Sequence, residues 1–142
     1  MPTRTGEAEW NGDLQNGTGK MRVGSGAFEG AYGFKSRMGD GKGTNPEELL
    51  GAAHAGCFSM ALSAGLSQAG FPPDRIHTTA KVHFDLKDGN WTIHTIELQT
   101  EASVPKITAE AFAEQAQGAK KNCPVSRALA GVPNITLNAR LV

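Results

Sequence analysis

The stretch Thr44–Gln68 constrains the fold of this chain more than any other, because it predicts one long apolar helix. Asn45 is a good cap for free backbone N–H groups at a helix start, and Pro46 suits the first helical position. Glu47 and Glu48 place negative charge at the positive end of the helix dipole. On a helical wheel its apolar residues point in all directions, which is typical of a buried helix. They are Leu49, Leu50, Ala52, Ala53, Ala55, Phe58, Met60, Ala61, Leu62, Ala64 and Leu66.

Length and charge narrow the class of protein. A chain of 142 residues suits one domain, spanning residues 1–142. Its 14 basic and 14 acidic residues give no net charge, and no basic cluster is present, which argues against a nucleic-acid partner. The first ten residues lack the apolar core of a signal peptide, and two cysteines are too few for a secreted disulfide scaffold. We therefore expect a cytoplasmic protein. Polar residues and glycines interrupt the apolar helix too often for us to expect a membrane span.

The residues before the helix predict strands and turns, since eleven of the eighteen glycines precede residue 45. Glu7–Val23 predicts two strands joined by a turn at Asn16-Gly17. Tyr32–Arg37 is expected to be a third strand. The glycine-rich segment Met38–Gly43 is expected to be a loop that leads into the helix.

The residues after the helix predict two long strands, two helices and a last strand. Ile76–Leu86 alternates in polarity, and the return strand Trp91–Val104 alternates from Trp91 through Ile93, Thr95 and beyond. The remaining expected elements are a turn at Asp88-Gly89-Asn90, a helix over Ala109–Lys121 capped by Thr108, a short helix over Val125–Leu129 and a strand over Ile135–Leu141. Strands in blocks with hairpin turns predict an α+β fold, with mainly antiparallel sheets wrapped around the long buried central helix.

This central helix also predicts an oligomer. A sheet and a second helix cover only part of a helix that is apolar on every side, and so small a domain has little other material to cover the rest. We therefore expect a homodimer in which two central helices pack together, because twofold pairing is the commonest way to bury a self-complementary face.

Each of the two cysteines allows a structural and a reactive interpretation. Cys57 lies in the middle of the apolar helix, where a cysteine is often a small buried hydrophobe. It lies too far from the helix start to benefit from the dipole, so a reactive Cys57 needs another group to stabilise its thiolate. His54 lies one turn earlier and is either such a group or a hydrogen-bonded interior histidine. Cys123 lies at a helix break, where free N–H groups lower a thiol pKa or the cysteine serves only as a cap.

The sequence resembles the OsmC/Ohr family, and specifically its OsmC branch, the osmotically inducible protein C group. The resemblance rests on the segment NPEELLGAAHAGCFSMAL, which carries Cys57, and on the later segment CPVS, which begins at Cys123. The opening AEWNGDL, the segment YGFKSR and the closing ITLNARL fit the family as well. The resemblance therefore extends over nearly the whole chain.

This resemblance implies a thiol-dependent peroxidase that reduces organic hydroperoxides to alcohols, an antioxidant enzyme of the stress response. Cys57 is then the peroxidatic cysteine and Cys123 the resolving cysteine, and the two form an intrachain redox-active disulfide. Arg37 and Glu47 complete the site by position. The family further implies an intertwined homodimer, no cofactor, no metal and an external dithiol reductant, which in the family is a lipoylated protein.

The residue types suit that chemistry. A thiolate attacks the O–O bond, so Cys57 needs a cation, and the guanidinium of Arg37 also offers N–H donors to both peroxide oxygens. We expect Glu47 to orient Arg37 through a bidentate pair, with Glu48 as its rival. Apolar side chains are expected to line the substrate pocket; these are Phe34, Met38, Phe58 and Met60.

The position of Glu47 raises a question of distance. Glu47 and Cys57 are ten residues apart in one helix, or about 15 Å. Glu47 therefore serves the partner subunit's site, or Arg37 bridges the gap, or the helix bends near Gly51 and Gly56. We favour a site composed across the dimer.

Two other functions remain open from the residues. The first is a zinc site formed by His54, Cys57 and Cys123 with His77 or His83, although no CxxC pair supports it. The second is a non-catalytic dimer that binds an apolar ligand around its central helix. Metal analysis separates the first from a peroxidase, and the loss of free thiols on treatment with a hydroperoxide separates the second.

Overall fold

The computed structural model describes all 142 residues and divides them into two compact units, Met1–Leu49 and Leu50–Val142. The long helix α2, Pro46–Gln68, begins in the first unit and continues in the second. We describe each unit by itself.

The first unit contains a three-stranded antiparallel sheet and a short helix. Its strands are β1 (Gly6–Asn11), β2 (Thr18–Val23) and β3 (Glu29–Tyr32), in that order across the sheet. The β1–β2 connection is confirmed as a turn, in which the N–H of Asn16 donates to a carboxylate oxygen of Asp13.

The prediction of a third strand over Tyr32–Arg37 is wrong. The strand ends at Tyr32, and helix α1 (Phe34–Met38) follows. The hydroxyl of Ser36 accepts from the N–H of Gly33 at 2.9 Å and donates to the carbonyl of Thr44 at 2.8 Å. These two hydrogen bonds stabilise a helical turn where polarity alone indicated an extended chain.

The start of α2 matches the sequence prediction. The side chain of Asn45 accepts from the N–H of Glu48 at 2.8 Å, so Asn45 is the cap and Pro46 the first helical residue. Gly43 adopts φ +116°, and a Cβ there would lie 2.5 Å from the carbonyl oxygen of Ala31. A glycine is therefore needed where the loop turns into the helix.

The second unit contains a second three-stranded sheet and two further helices. Its elements are β4 (Arg75–Lys87), β5 (Asn90–Ser103), α3 (Ala109–Asn122), α4 (Pro124–Ala128) and β6 (Asn134–Leu141). Strand β5 lies in the middle of the sheet, antiparallel to β4 and parallel to β6. The predicted α+β class is confirmed, and all neighbouring strands pair antiparallel except β5 and β6.

Strands β4 and β5 form the predicted hairpin. Asp88 and Gly89 both have positive φ, at +49° and +79°, which is typical of a tight two-residue hairpin turn. His83 pairs with Thr95 and Phe84 with Ile93, so β5 carries an extra residue at this bulge. The bulge exchanges the two faces of β5, and the predicted alternation is wrong beyond it. The buried residues there are Ile96, Leu98, Thr100 and Ala102.

The core of the second unit joins α2, β5 and α3. Phe58, Leu62 and Leu66 of α2 are fully buried. They cluster with Ile96, Leu98 and Ala102 of β5 and with Phe112, Ala116 and Ala119 of α3. Thr108 caps α3 as predicted, since its hydroxyl accepts from the N–H of Ala111.

In the single chain α2 is covered on only part of its surface, and the packing of two central helices that we expected stays a prediction. One stripe is buried, but Ala53, Gly56, Met60 and Ala64 are exposed, and Met60 is 77% exposed. By length and composition α2 is also sufficient to cross a membrane, a test that core helices of globular proteins pass as well. Because its buried stripe packs into the core of the second unit, we interpret α2 as a core helix with one uncovered apolar face.

Candidate active site

Cys57 is held in the middle of α2, one turn after His54. Its side chain is half-buried, while the neighbouring Phe58 is fully buried in the core. Helix α2 packs closely against strand β4 near this position. A Cβ at Gly51 would lie 3.2 Å from the carbonyl oxygen of Ala80, so glycine allows this packing distance.

Cys123 lies at the break between α3 and α4 and is fully buried. Its backbone N–H ends α3 by donating to the carbonyl of Ala119, while its Sγ accepts from the N–H of Ser126 at 3.5 Å. Pro124 cannot donate a backbone hydrogen bond and occupies the first position of α4. The residue is therefore both the end of one helix and the cap of the next, as the sequence predicted.

The fold brings the two thiols close enough together to shift each other's pKa, although 66 residues separate them in the sequence. Both cysteines are free. A pair of reduced thiols in contact is the starting geometry for forming and breaking a disulfide.

The contact separates the acidities of the two thiols. Burial, followed by the hydrogen bond to Cys123, raises the pKa of Cys57. Burial also acts to raise the pKa of Cys123, but hydrogen bonds from Cys57 and from Ser126 outweigh it and lower that pKa. Within the second unit, the negative charge of the pair therefore resides preferentially on Cys123.

A buried histidine and serine lie beside the pair. His54 is fully buried, and its Nε2 lies 2.6 Å from the Oγ of Ser126. His54 is thus an interior histidine with a hydrogen bond, one of the two interpretations open from the sequence. Burial lowers its pKa, which favours the neutral ring. Ser126 was not assigned a role from the sequence; the only signal was its place in the CPVS segment.

Arg37 and Glu47 form an ion pair in the first unit. The Nε of Arg37 lies 2.8 Å from Oε1 of Glu47, a carboxylate that is almost fully buried. The expected bidentate pair is not formed, because Oε2 of Glu47 is buried without a hydrogen-bond partner in the chain. Glu48 instead accepts from the hydroxyl of Thr44 at 2.6 Å, so the rival carboxylate is directed away from Arg37.

An apolar cleft adjoins Arg37 in the first unit. It has a volume of about 270 Å³. The ring centroids of Trp10 and Tyr32 in its wall lie 5.5 Å apart. Two of the four side chains expected to line a substrate pocket, Phe34 and Met38, belong to it. Its lining consists of Trp10, Leu14, Tyr32, Gly33, Phe34, Arg37 and Met38.

The four predicted site residues thus fall into two pairs, the thiols and the ion pair. Phe58 packs in the core and Met60 is exposed, so neither of these expected lining residues belongs to the cleft. The zinc alternative gains no support, because no three or more His, Cys, Asp or Glu side chains are grouped to hold a metal ion. The chemistry that the second unit allows is two-electron thiol chemistry at Cys57 and Cys123. The first unit, by itself, offers an apolar cleft with a guanidinium that suits an oxygenated, apolar molecule.

Comparison with known proteins agrees with this chemistry. The chain is 48% identical to the peroxiredoxin OsmC of Escherichia coli strain K12 over 139 residues, covering 97% of this chain and 96% of that protein. It is 31% identical to an organic hydroperoxide resistance protein-like protein of Staphylococcus aureus strain USA300, covering 72% of this chain and 74% of that one.

The fold is also that of a solved protein. The crystal structure of an OsmC like protein from Mycoplasma pneumoniae superposes with a TM-score of 0.78 at 18% identity, covering 99% of this chain and 98% of that one. The family profile described as OsmC-like protein matches residues 39–138. The chain therefore belongs to the OsmC family.

Proposed function

We infer that the protein is a cysteine-based peroxidase that reduces organic hydroperoxides to alcohols. The observation that carries this proposal is the contact between two free thiols, Cys57 and Cys123, in a chain 48% identical to a peroxiredoxin. Cys57 is the peroxidatic residue and Cys123 the resolving residue. The enzyme needs no cofactor, because sulfur carries both electrons.

The proposed cycle has three steps. The Cys57 thiolate attacks one peroxide oxygen, so that an S–O bond forms, the O–O bond breaks, and the departing alkoxide takes a proton to become an alcohol. The resulting sulfenic acid condenses with Cys123 to a disulfide and releases water, which protects Cys57 from further oxidation. An external dithiol then reduces the disulfide; the family resemblance supports a lipoylated protein as its source.

Arg37 supplies what the thiol pair lacks. Because burial and Cys123 raise the pKa of Cys57, its thiolate needs a positive charge for the first step. We assign this role to the guanidinium of Arg37, which is oriented by Glu47 and also stabilises the departing alkoxide. The apolar cleft beside Arg37 favours an alkyl hydroperoxide over hydrogen peroxide.

We propose that the functional unit is an intertwined homodimer and that residues 1–142 act as one OsmC-like domain. The exposed apolar face of α2 supports this proposal, since a face containing Met60 at 77% exposure is unfavourable in water. Sedimentation should give twice the chain mass, and a stable monomer at micromolar concentration would contradict the dimer. We place the protein in the cytoplasm.

The dimer makes a composite site the favoured arrangement, with Glu47 acting at the partner's Cys57. Mixing Cys57→Ser subunits with Glu47→Ala subunits tests this assignment. Each mixed dimer then contains one site with an intact cysteine and an intact glutamate from different subunits. Recovery of activity supports the assignment, and mixed dimers without activity overturn it.

Thiol titration tests the function itself. One equivalent of cumene hydroperoxide should remove two thiols per chain from the native protein. Cys57→Ser should lose none quickly, and Cys123→Ser should lose one as sulfenic acid. A native protein that retains both thiols would refute the peroxidase and leave the binding of an apolar ligand.

A further inference from the structure

We propose that His54 and Ser126 form a proton relay that activates Cys123 for its attack on oxidised Cys57. This inference rests on the proposed peroxidase function and deepens it. Ser126 touches the reacting sulfur, and His54 acts through Ser126 as a positioning residue that accepts and returns a proton.

The connectivity of His54 supports the relay. Nε2 lies 2.6 Å from the Oγ of Ser126, while Nδ1 is buried without a hydrogen-bond partner. Because the whole residue is inaccessible to solvent, Ser126 is its route for proton exchange within the chain. A histidine with one unsatisfied nitrogen is a poor choice for filling a core position, since an unsatisfied buried polar group is destabilising.

Ser126 connects this ring to the sulfur. Its backbone N–H donates to the Sγ of Cys123 at 3.5 Å. Its hydroxyl lies close enough to that sulfur to lower the pKa of Cys123. A hydroxyl donates one hydrogen bond and accepts others. The Ser126 hydroxyl can therefore accept a hydrogen bond from the Cys123 S–H while it donates one to Nε2 of His54. Transfer of one proton along each of these hydrogen bonds leaves a Cys123 thiolate and a protonated imidazole.

The protonation state of His54 leaves it able to accept a proton. Burial lowers the pKa of His54, so the ring is neutral at physiological pH and has a free lone pair to receive the proton. The hydrogen bonds from Ser126 lower the pKa of Cys123 in turn.

The balanced step runs as follows. The Cys123 S–H proton passes to Ser126 Oγ as the Ser126 proton passes to His54 Nε2. The electron pair of the Cys123 thiolate forms the S–S bond to Cys57, whose S–OH bond breaks; Cys123 is oxidised and the Cys57 sulfur is reduced. The imidazolium returns its proton through Ser126 to the departing hydroxide, which leaves as water, so that His54 and Ser126 end the step in their starting protonation states.

The test separates this step from the peroxide reaction. In a single turnover with cumene hydroperoxide, hydroperoxide loss reports Cys57 oxidation, and loss of the dimedone-reactive sulfenic acid reports disulfide closure. His54→Gln keeps a hydrogen-bonding group near the Nε2 position but accepts no proton at neutral pH. We expect it to oxidise Cys57 within twofold of the native rate but to close the disulfide at least tenfold more slowly.

Two further variants keep the inference falsifiable. Ser126→Ala breaks the relay and should slow closure to a similar extent. The double variant should be no slower than either single one, because both remove the same route. Ser59→Ala is the matched control, since it removes a hydrogen bond of 2.8 Å from α2 to Thr78 of β4 and leaves His54 and Ser126 unchanged. Its closure rate should stay within twofold of the native rate.

The His54→Gln variant keeps the hydrogen bond but cannot accept a proton. Disulfide closure within twofold of the native rate in this variant would therefore overturn the relay. Multiplicative slowing in the double variant would overturn it as well. If the native protein consumes no hydroperoxide, the proposed function fails instead, and the two failures are thereby distinguished.

Discussion

Replacing Glu47 with glutamine tests the orientation of the guanidinium most directly. The carboxylate side chain is 9% exposed and holds the Nε of Arg37 at 2.8 Å through one oxygen, while its other oxygen is buried without a partner. Glutamine keeps the shape and one acceptor oxygen but removes the charge. It also places an amide N–H₂ where no acceptor lies.

The magnitude follows from these contacts. A hydrogen bond to a charged group contributes about 1.5–3 kcal/mol and a neutral one about 0.5–1.5 kcal/mol, so losing the charge costs roughly 1 kcal/mol. The unpaired amide adds to this, but the Arg37 side chain is 38% exposed and stays solvated, which limits the penalty for its charge. We expect Glu47→Gln to lower the free energy of unfolding by about 1–2 kcal/mol. The loss of orientation should slow Cys57 oxidation about 10- to 100-fold.

Two assays check this expectation. Urea unfolding measures the stability, and stopped-flow consumption of cumene hydroperoxide under single-turnover conditions measures the oxidation rate. Glu48→Gln is the matched control, because it makes the same charge change one residue away at a carboxylate that bonds Thr44. It should retain the native oxidation rate within twofold. Equal rates in the two variants would refute the reasoning that Glu47 positions Arg37.

Three further predictions concern stability. Leu62→Ala removes a fully buried side chain from the core and should lower the free energy of unfolding by about 2–5 kcal/mol in urea unfolding, and a loss under 1 kcal/mol would contradict its core position. Hydrogen bonds from Arg140 and then Arg75 lower the pKa of Glu101, so the ionised carboxylate stabilises the fold above its ordinary pKa near 4.5. This stabilisation should be lost as pH falls through the lowered value, and Glu101→Gln should flatten the acid limb of a plot of stability against pH; an unchanged limb would refute it. Gly118→Ala lies in α3 with nothing within 4 Å of the added Cβ and should raise stability by about 0.5–1 kcal/mol, visible as a higher Tm; a lower Tm would contradict the open space there.

Local signals predicted much of the secondary structure. Asn45 and Pro46 start α2, Thr108 caps α3, and Asp88 with Gly89 turns the β4–β5 hairpin. Each signal acts within about four residues, through a side-chain cap or a backbone conformation. Such interactions hold wherever the segment lies, so the sequence alone reveals them.

The errors arose where longer contacts override local pattern. The segment Phe34–Met38 is helical because Ser36 bonds the backbone of Thr44, and β5 changes its buried face because of the bulge opposite His83 and Phe84. Neither the hydrogen bond nor the bulge can be seen in the alternation of polar and apolar residues. The alternation therefore predicted the wrong backbone geometry for the first segment and the wrong buried face for part of the second.

The sequence by itself indicated the residues that we propose for the chemistry, since thiols, a guanidinium and a carboxylate stand in segments that resemble one family. Only the tertiary structure decided which of them meet. Cys57 contacts Cys123, and His54 bonds Ser126 across 72 residues, because α2 packs beside the α3–α4 break. Contacts over such separations depend on the packing of the whole core, which no short stretch of sequence encodes.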